Sequence, residues 1–525
     1  MEEKKKGKLT EKYEVGLMVL AVIVVGLLVT GITIWPEKGK AVAADALYML
    51  THTFGSTMQI ITVIILIFLI ILALSKYGNI RLGNKKPKFK TSSWVSMMFF
   101  TGLGAGTVYW AFLEWGYHFN ANIQLEGAAV SDAYNYELSV AYAMYDWGPA
   151  AWALLCIFVL PFAYHHYVKK DSELKLSALC KYTVGEKAAK GWFGKIVDFI
   201  FIFAAIGSIC ITAGTSGSTL ATAIADLFNI KYSFILVVIV LVGTAILYSA
   251  SNLVGIEKGM RKISDWNVYF CMALLAFIVI AGPTGFIIDS LVNSLGILGS
   301  EFVRMTTWTD PVAQGGYPQD WTVFYLVYWF VFGPFTGLFV AKISEGRKIR
   351  EIILNMLVTG SIGLFLFFGI ISAYGESLRI DGALDIPAML NNGQSESIAS
   401  AVIGTLPFSK IALVLYLVVV LLFLATTLDS CSLTLAQTVS KNLKMGEDPK
   451  VGIKFAWCLI GVAIPLGISY VGTDIGTIKS IVLATGLPLV VIIAIIYWGF
   501  MREMFKDYGK MTKDEIMQAG KIEEE

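Results

Sequence analysis

Charge is what this 525-residue sequence has least of. Only 15% of its residues are charged, against about 25% in a soluble protein. The 41 basic and 39 acidic residues leave a net charge of +2, which offers nothing to a nucleic acid. The six cysteines (Cys156, Cys180, Cys210, Cys271, Cys431, Cys458) are scattered, mostly through apolar runs, and form no CxxC. No disulfide framework and no metal site is expected from them. Four histidines, with His165 and His166 adjacent, suggest no ligand cluster. No GxxxxGK[ST] sequence occurs, so the chain carries no P-loop nucleotide motor. No soluble stretch is long enough for an enzyme domain, and neither a nucleophile nor a metal cluster is in evidence.

What is abundant is apolar length. A spanning helix needs about 20 apolar residues. Twelve runs qualify: Val15–Trp35, Met58–Ser75, Trp94–His118, Leu138–Tyr164, Val197–Leu227, Ser233–Ser249, Asn267–Phe286, Trp321–Ala341, Ile353–Tyr374, Ile411–Ser440, Phe455–Val471 and Ile481–Met501. The charged start MEEKKKGKLTEKYE reads as a cytoplasmic end before a first span, not as a signal peptide. The segment Ile287–Met305 is too polar to span and is expected to be an amphipathic interfacial helix. Lys and Arg crowd alternate loops: Lys76–Lys90, Lys169–Lys195, Lys258–Lys262, Lys342–Arg350 and Lys441–Lys450. That bias predicts a multi-pass protein of the plasma (inner) membrane with both termini cytoplasmic. The expected division is a terminus and two helices over 1–92, five helices over 93–286, an interfacial helix and loop over 287–320, five more helices over 321–502, and a cytoplasmic tail over 503–525.

Four runs carry more than hydrophobicity. In the eighth, Trp321, Tyr325, Tyr328, Trp329 and Phe332 fall at i, i+4, i+7, i+8 and i+11, on one helix face. Such a stripe is either packing surface or a wall for a cation without hydrogen-bond donors. Gly333, Pro334 and Gly337 follow and are expected to break that helix. The third run is interrupted by Gly102, Gly104 and Gly106. Interruptions at the first span of each five-helix set point to an inverted-repeat transporter, while small residues also serve close helix packing. The tenth run holds ATTLDSCSLT, Ala425–Thr434, hydroxyls and Asp429 inside an apolar span. These form either a polar site or hydroxyls bonded back to their own helix. The fourth run has Trp147 and Trp152 around Pro149, away from the usual interfacial belt.

With those stretches in order, the chain resembles the betaine/choline/carnitine transporter family from the first run to the twelfth. The most specific piece is WTVFYLVYWFVFGPFTGLFVAKISEGRKIRE, an aromatic eighth helix followed by a basic Ile-Ser-x-Gly-Arg loop. TDPVAQGGYPQDW, DWGPAAW, GLGAG and TTLDSCS match family blocks as well. The resemblance implies an all-α membrane protein of twelve transmembrane helices, with inverted five-helix repeats (helices 3–7 and 8–12) after two N-terminal helices. It implies a homotrimer, a small quaternary or methylated ammonium substrate, and no cofactor beyond a coupling ion. The family's aromatic cage maps here to Trp147, Trp152 and Trp329, with Tyr328, Trp321 and Tyr117 nearby, and its substrate-facing backbone to Gly104 and Gly106. There are departures: Leu326, Tyr328 and Phe332 stand at places where the family is richer in Trp, and Leu155 replaces an aromatic.

Choline-type members tend to carry Asp at the place of Gly106, which favours a zwitterion such as betaine or carnitine. Asp146, where many members have His, favours a purely cationic substrate, or else bonds a helix end. In the sodium-coupled branch a hydroxyl pair, here Thr426 and Thr427, shares the ion with two third-helix carbonyls, here Phe100 and Leu103. The sodium-independent exchange branch places Arg where this chain has Asn267 and Met where it has Thr336. Sodium symport is therefore expected, with carnitine/butyrobetaine-type exchange, or a choline or trimethylamine carrier, as the alternatives. A second sodium position is suggested at Ser208 and Thr212.

Overall fold

The computed structural model describes residues 12–102, 104–121, 123, 131–254, 256–441, 443, 447–471 and 475–521. Among the described residues no strand forms, and ten helices are long and apolar enough to cross a bilayer. In chain order the helices that matter for the site are α1 (Val15–Ile34), α2 (Gly55–Leu74), α3 (Thr91–Thr101), α4 (Ala105–Ala121), α5 (Asp132–Tyr145), α6 (Pro149–Tyr167), α7 (Trp192–Phe228) and α8 (Phe234–Val254). They continue as α9 (Ile256–Ala281), α10 (Thr284–Thr307), α11 (Phe324–Ile343), α12 (Ser361–Ile380), α13 (Ser409–Val439), α14 (Val451–Val471), α15 (Ile475–Leu483) and α16 (Gly486–Tyr508).

Burial sorts these helices by depth. α1 and α2 are apolar all round yet leave Leu27, Ile64 and Leu74 exposed, as helices facing lipid do. In α6 every residue from Ala150 to Tyr167 is buried, so this helix runs through the centre of the bundle. The longest helices, α7 (37 residues) and α13 (31 residues), hold the third place in each set of five and pack against each other.

The two glycine-bearing runs behave differently. In the third, the helix stops at Thr101 and restarts at Ala105. Thr107 holds the joint: its hydroxyl donates to the Gly102 carbonyl at 2.9 Å and accepts from the Gly104 N–H at 3.3 Å. In the eighth, the expected break is absent, and α11 continues through Gly333, Pro334 and Gly337. The glycines there serve contact. A Cβ on Gly333 would lie 2.3 Å from Phe158 Cδ2, and one on Gly337 2.7 Å from Phe158 Cβ. Glycines four apart let α11 seat directly on α6. The fourth run is interrupted too, at Asp146–Gly148, with Pro149 opening α6.

The segment expected to be too polar to span is the continuous helix α10, and its length and composition suffice for a crossing. Ile287, Ser294, Leu298 and Met305 are buried on one stripe, while Ile288, Val292, Leu295 and Val303 are exposed. Both described ends of the chain lie on one face. The Glu14 N–H donates to Val439 O at 2.8 Å, and Lys76 Nζ donates to Gly509 O and Met511 O, each at 2.8 Å. A cavity of about 830 Å³ opens on that face, lined in part by Glu14, Gly83, Lys170, Lys342 and Lys441.

Candidate functional site

The interruption in the fourth run places Trp147 between two helix ends rather than on a helix face. Its ring meets Trp329 of α11 edge-on at 4.8 Å between centroids and stacks on Phe368 of α12 at 4.6 Å. Both indole N–H groups are anchored. Trp147 Nε1 donates to Glu114 Oε1 and Oε2 at 3.1 and 3.0 Å. Trp329 Nε1 donates at 2.7 Å to the carbonyl of Asp146, the residue that caps α5. Tyr325, one turn before Trp329, donates its hydroxyl to Glu114 Oε2 at 2.7 Å. Tyr328 lies edge-on to Trp329 at 5.2 Å and tilted against Phe332 at 4.5 Å. These rings are therefore held by charged or backbone acceptors and do not merely rest on each other.

The other expected cage residues stand apart from this pair. Trp321 packs on Tyr117 at 5.6 Å and on His118 at 4.6 Å. Trp152 is fully buried against two glycines, and a Cβ on Gly360 or on Gly102 would lie 2.4 or 2.8 Å from its ring. It thus lines the joint of the third run rather than the Trp147–Trp329 contact.

Gly104 and Gly106 face hydroxyls. A Cβ on Gly104 would sit 3.7 Å from Thr427 Oγ1, and one on Gly106 3.8 Å from Thr212 Oγ1. The joint between α3 and α4 therefore meets both α13 and α7. Thr426 donates its hydroxyl to Phe423 O at 2.9 Å, and Ser208 to Ala204 O at 2.8 Å, so both are bonded back to their own helices. Asn267 of α9 lies against the same part of α13: with its amide turned to satisfy both partners, it donates to Val419 O and accepts from Phe423 N, each at 3.2 Å. Leu103 lies outside the described residues, as does the Phe100 side chain.

One group escaped the sequence reading, which expected the histidines to join no cluster. Glu114, His118 and Asp146, all buried, bring one ligand atom each to within 4.8 Å of one another. His118 Nε2 is 3.3 Å from Asp146 Oδ2 and 3.8 Å from Glu114 Oε1, and Nδ1 pairs with the Tyr317 hydroxyl at 2.9 Å. Glu114 and His118 are one turn apart on α4, which the sequence does signal. Asp146 comes from another span, which spacing along the chain cannot reveal. The trio could hold a cation, but Glu114 already serves Trp147 and Tyr325, and its evident work is to fix their rings.

The comparisons with known proteins follow the same path as the geometry. The profile of the betaine/carnitine/choline family transporters matches residues 16–509. The "Carnitine transporter" of Acinetobacter baumannii is 30% identical over 516 residues, covering 98% of this chain and 93% of its own length. The "Uncharacterized transporter YeaV" of Escherichia coli K12 is 33% identical over 449 residues, 85% of this chain and 92% of that one. A solved structure of a Na+-coupled sialic acid symporter, 13% identical, aligns with a TM-score of 0.44 over 91% of this chain and 97% of its own. A chain that is all-helical among its described residues, with ten helices long and apolar enough to span, and that the family's profile matches over nearly its full length, is a membrane transporter and not an enzyme, and it belongs to the betaine/carnitine/choline transporter family.

Proposed function

We propose that this protein is a secondary active transporter that takes up a quaternary or methylated ammonium compound, of the glycine betaine or carnitine kind, by sodium symport. The observation that carries the reading is the Trp147–Trp329 contact at 4.8 Å, with both N–H groups turned away to Glu114 and the Asp146 carbonyl. With both N–H edges engaged and one Trp147 face taken by Phe368, what the pair offers a ligand is the remaining ring surface, and an aromatic wall holds a cation without donors well. A carnitine transporter among the relatives agrees with that chemistry.

The sodium part rests on the meeting of Thr427 with Gly104, where a hydroxyl faces the interruption of the third run. Oxygens at short range suit a hard cation, and Asn267 leaves that space without the positive charge that could stand in for an ion. Thr426 would join with the lone pairs left free by its own donated bond, with the Phe100 and Leu103 carbonyls completing the shell. Thr212 beside Gly106, with Ser208 one turn earlier, is the place for a second ion. We place the basic loops and both termini in the cytoplasm and expect a homotrimer.

Uptake by proteoliposomes tests this directly. Betaine, carnitine, choline and trimethylamine are offered with and without an inward sodium gradient. Accumulation of at least one of them that depends on sodium is expected. Full uptake without sodium, driven by preloaded substrate, would make the protein an exchanger.

A further inference from the structure

One aromatic box in the molecule already holds a cation, and that cation belongs to the chain. Lys479, on the short helix α15, places Nζ 4.1 Å from the Phe324 ring centroid, 4.3 Å from Trp110 and 5.6 Å from Tyr328. The rings come from α4 and α11, the spans that also carry Glu114 and Trp329. Among the described residues no carboxylate forms an ion pair with this ammonium. Its close contacts are thus to ring faces, with Glu114 attracting it only from beyond ion-pair distance, and its three N–H donors are left without a strong acceptor. Tyr328 is shared: one neighbour is Lys479, and the other, edge-on at 5.2 Å, is Trp329.

A lysine ammonium one ring away from a cation-binding wall sorts substrates by their net charge. A lone quaternary cation on Trp329 would face Lys479 across Tyr328, and like charges in a poorly solvated space repel. A zwitterion carries its own carboxylate a few bonds from its ammonium. That carboxylate would meet the donors of Lys479 in a charge-assisted hydrogen bond. We infer that Lys479 is a specificity-determining residue, binding the carboxylate of a zwitterionic substrate and disfavouring substrates that are net cations. This rests on the reading of the site given above and narrows its substrate class to trimethylammonium carboxylates. It also bears on Asp146 and Glu114: their short contacts go to His118, Trp147 and Tyr325 rather than to Lys479.

The test uses the full chain in proteoliposomes and measures competition at equilibrium by glycine betaine, carnitine, choline and the amide of glycine betaine. The amide has the size of the acid without its charge. Unmutated protein should prefer glycine betaine over its amide by about tenfold or more, the order expected when a charged hydrogen bond is lost. Lys479→Met keeps an unbranched stem over the rings and should bring the two compounds within about threefold, chiefly by weakening the acid. Lys479→Arg should restore the preference. An amide that competes as well as betaine in the unmutated protein overturns the assignment, even if Lys479→Met fails to fold. An unchanged betaine-to-choline ratio in folded Lys479→Met overturns it as well. Failure of all four compounds to bind the unmutated protein would instead overturn the transporter site itself, and the role of Lys479 with it.

Discussion

Trp329 and Asp146 lie 183 residues apart and are joined by a single hydrogen bond, indole N–H to carbonyl oxygen, at 2.7 Å. The bond stitches the eighth span to the interruption in the fourth. It makes the aromatic pair a property of two helices at once, so a change to either residue should be felt at the other.

Replacing Trp329 by Leu removes the ring, and replacing it by Phe keeps a ring but drops the bond to Asp146. A desolvated cation over an aromatic face gains roughly 2 kcal/mol. Trp329→Leu should therefore weaken substrate binding by more than tenfold, with Trp329→Phe in between. Equilibrium binding to folded protein checks this, and unaltered affinity in Trp329→Leu would remove the cage assignment.

Glu114 accepts from both Trp147 and Tyr325. A glutamine there presents an amide N–H₂ to one of those donors, and a buried donor left unpaired costs about 1–3 kcal/mol. Glu114→Gln should lower the melting temperature and weaken substrate binding together. Loss of stability with full affinity would show that the carboxylate serves the bundle and not the rings.

The glycines of the third and eighth runs should answer differently to added bulk. A Cβ at Gly104 meets its nearest neighbour at an ordinary 3.7 Å, whereas one at Gly333 would sit 2.3 Å from Phe158. Gly104→Ala should fold. Gly104→Val, which adds methyls towards Thr427 and stiffens the joint, should suppress transport more than folded yield. Gly333→Ala should lower the yield first. Normal transport by Gly104→Val would assign the third-run glycines to packing alone.

Thr426 and Thr427 are adjacent but differently engaged. Thr426 donates to its own helix at Phe423, while Thr427 faces Gly104. Thr427→Ala should raise the sodium concentration needed for half-maximal uptake more than Thr426→Ala does, and the double variant should lose most sodium dependence. Sodium titrations at fixed substrate decide this, and an unchanged titration in the double variant excludes the site.

How far could the sequence be read? Most of the spans were legible as apolar runs of bilayer length, α10 being missed, and the third-run joint because Gly102 and Gly104 stand within one. The aromatic stripe was legible as one face of a helix, though its rings divide between Trp329 and Tyr328 on one side and Trp321 with Tyr117 on the other. The glycines of α11 misled because Gly-Pro within an apolar run signals a break and a close contact equally. Only the position of Phe158 on another helix separates the two. The Glu114–His118–Asp146 trio and the Lys479 box depend on residues from spans distant in the chain, and no periodicity carries that information. In α10 the scattered polar residues suggested an interfacial helix too polar to span, but its length and composition suffice for a crossing, with apolar residues on both its buried and its exposed side.

The seat of α11 on Phe158 has a mechanical meaning. With no side chain at Gly333 or Gly337, the backbone rests against the ring, and Phe158 stands like a tooth in a notch. Sliding along the helix would take that ring off the two positions that have no side chain. In the transport proposed above, α6 and α11 would move as one plank. The give would come where the hydrogen-bond ladder is interrupted, beside Gly102 and Gly104 or at Asp146–Gly148.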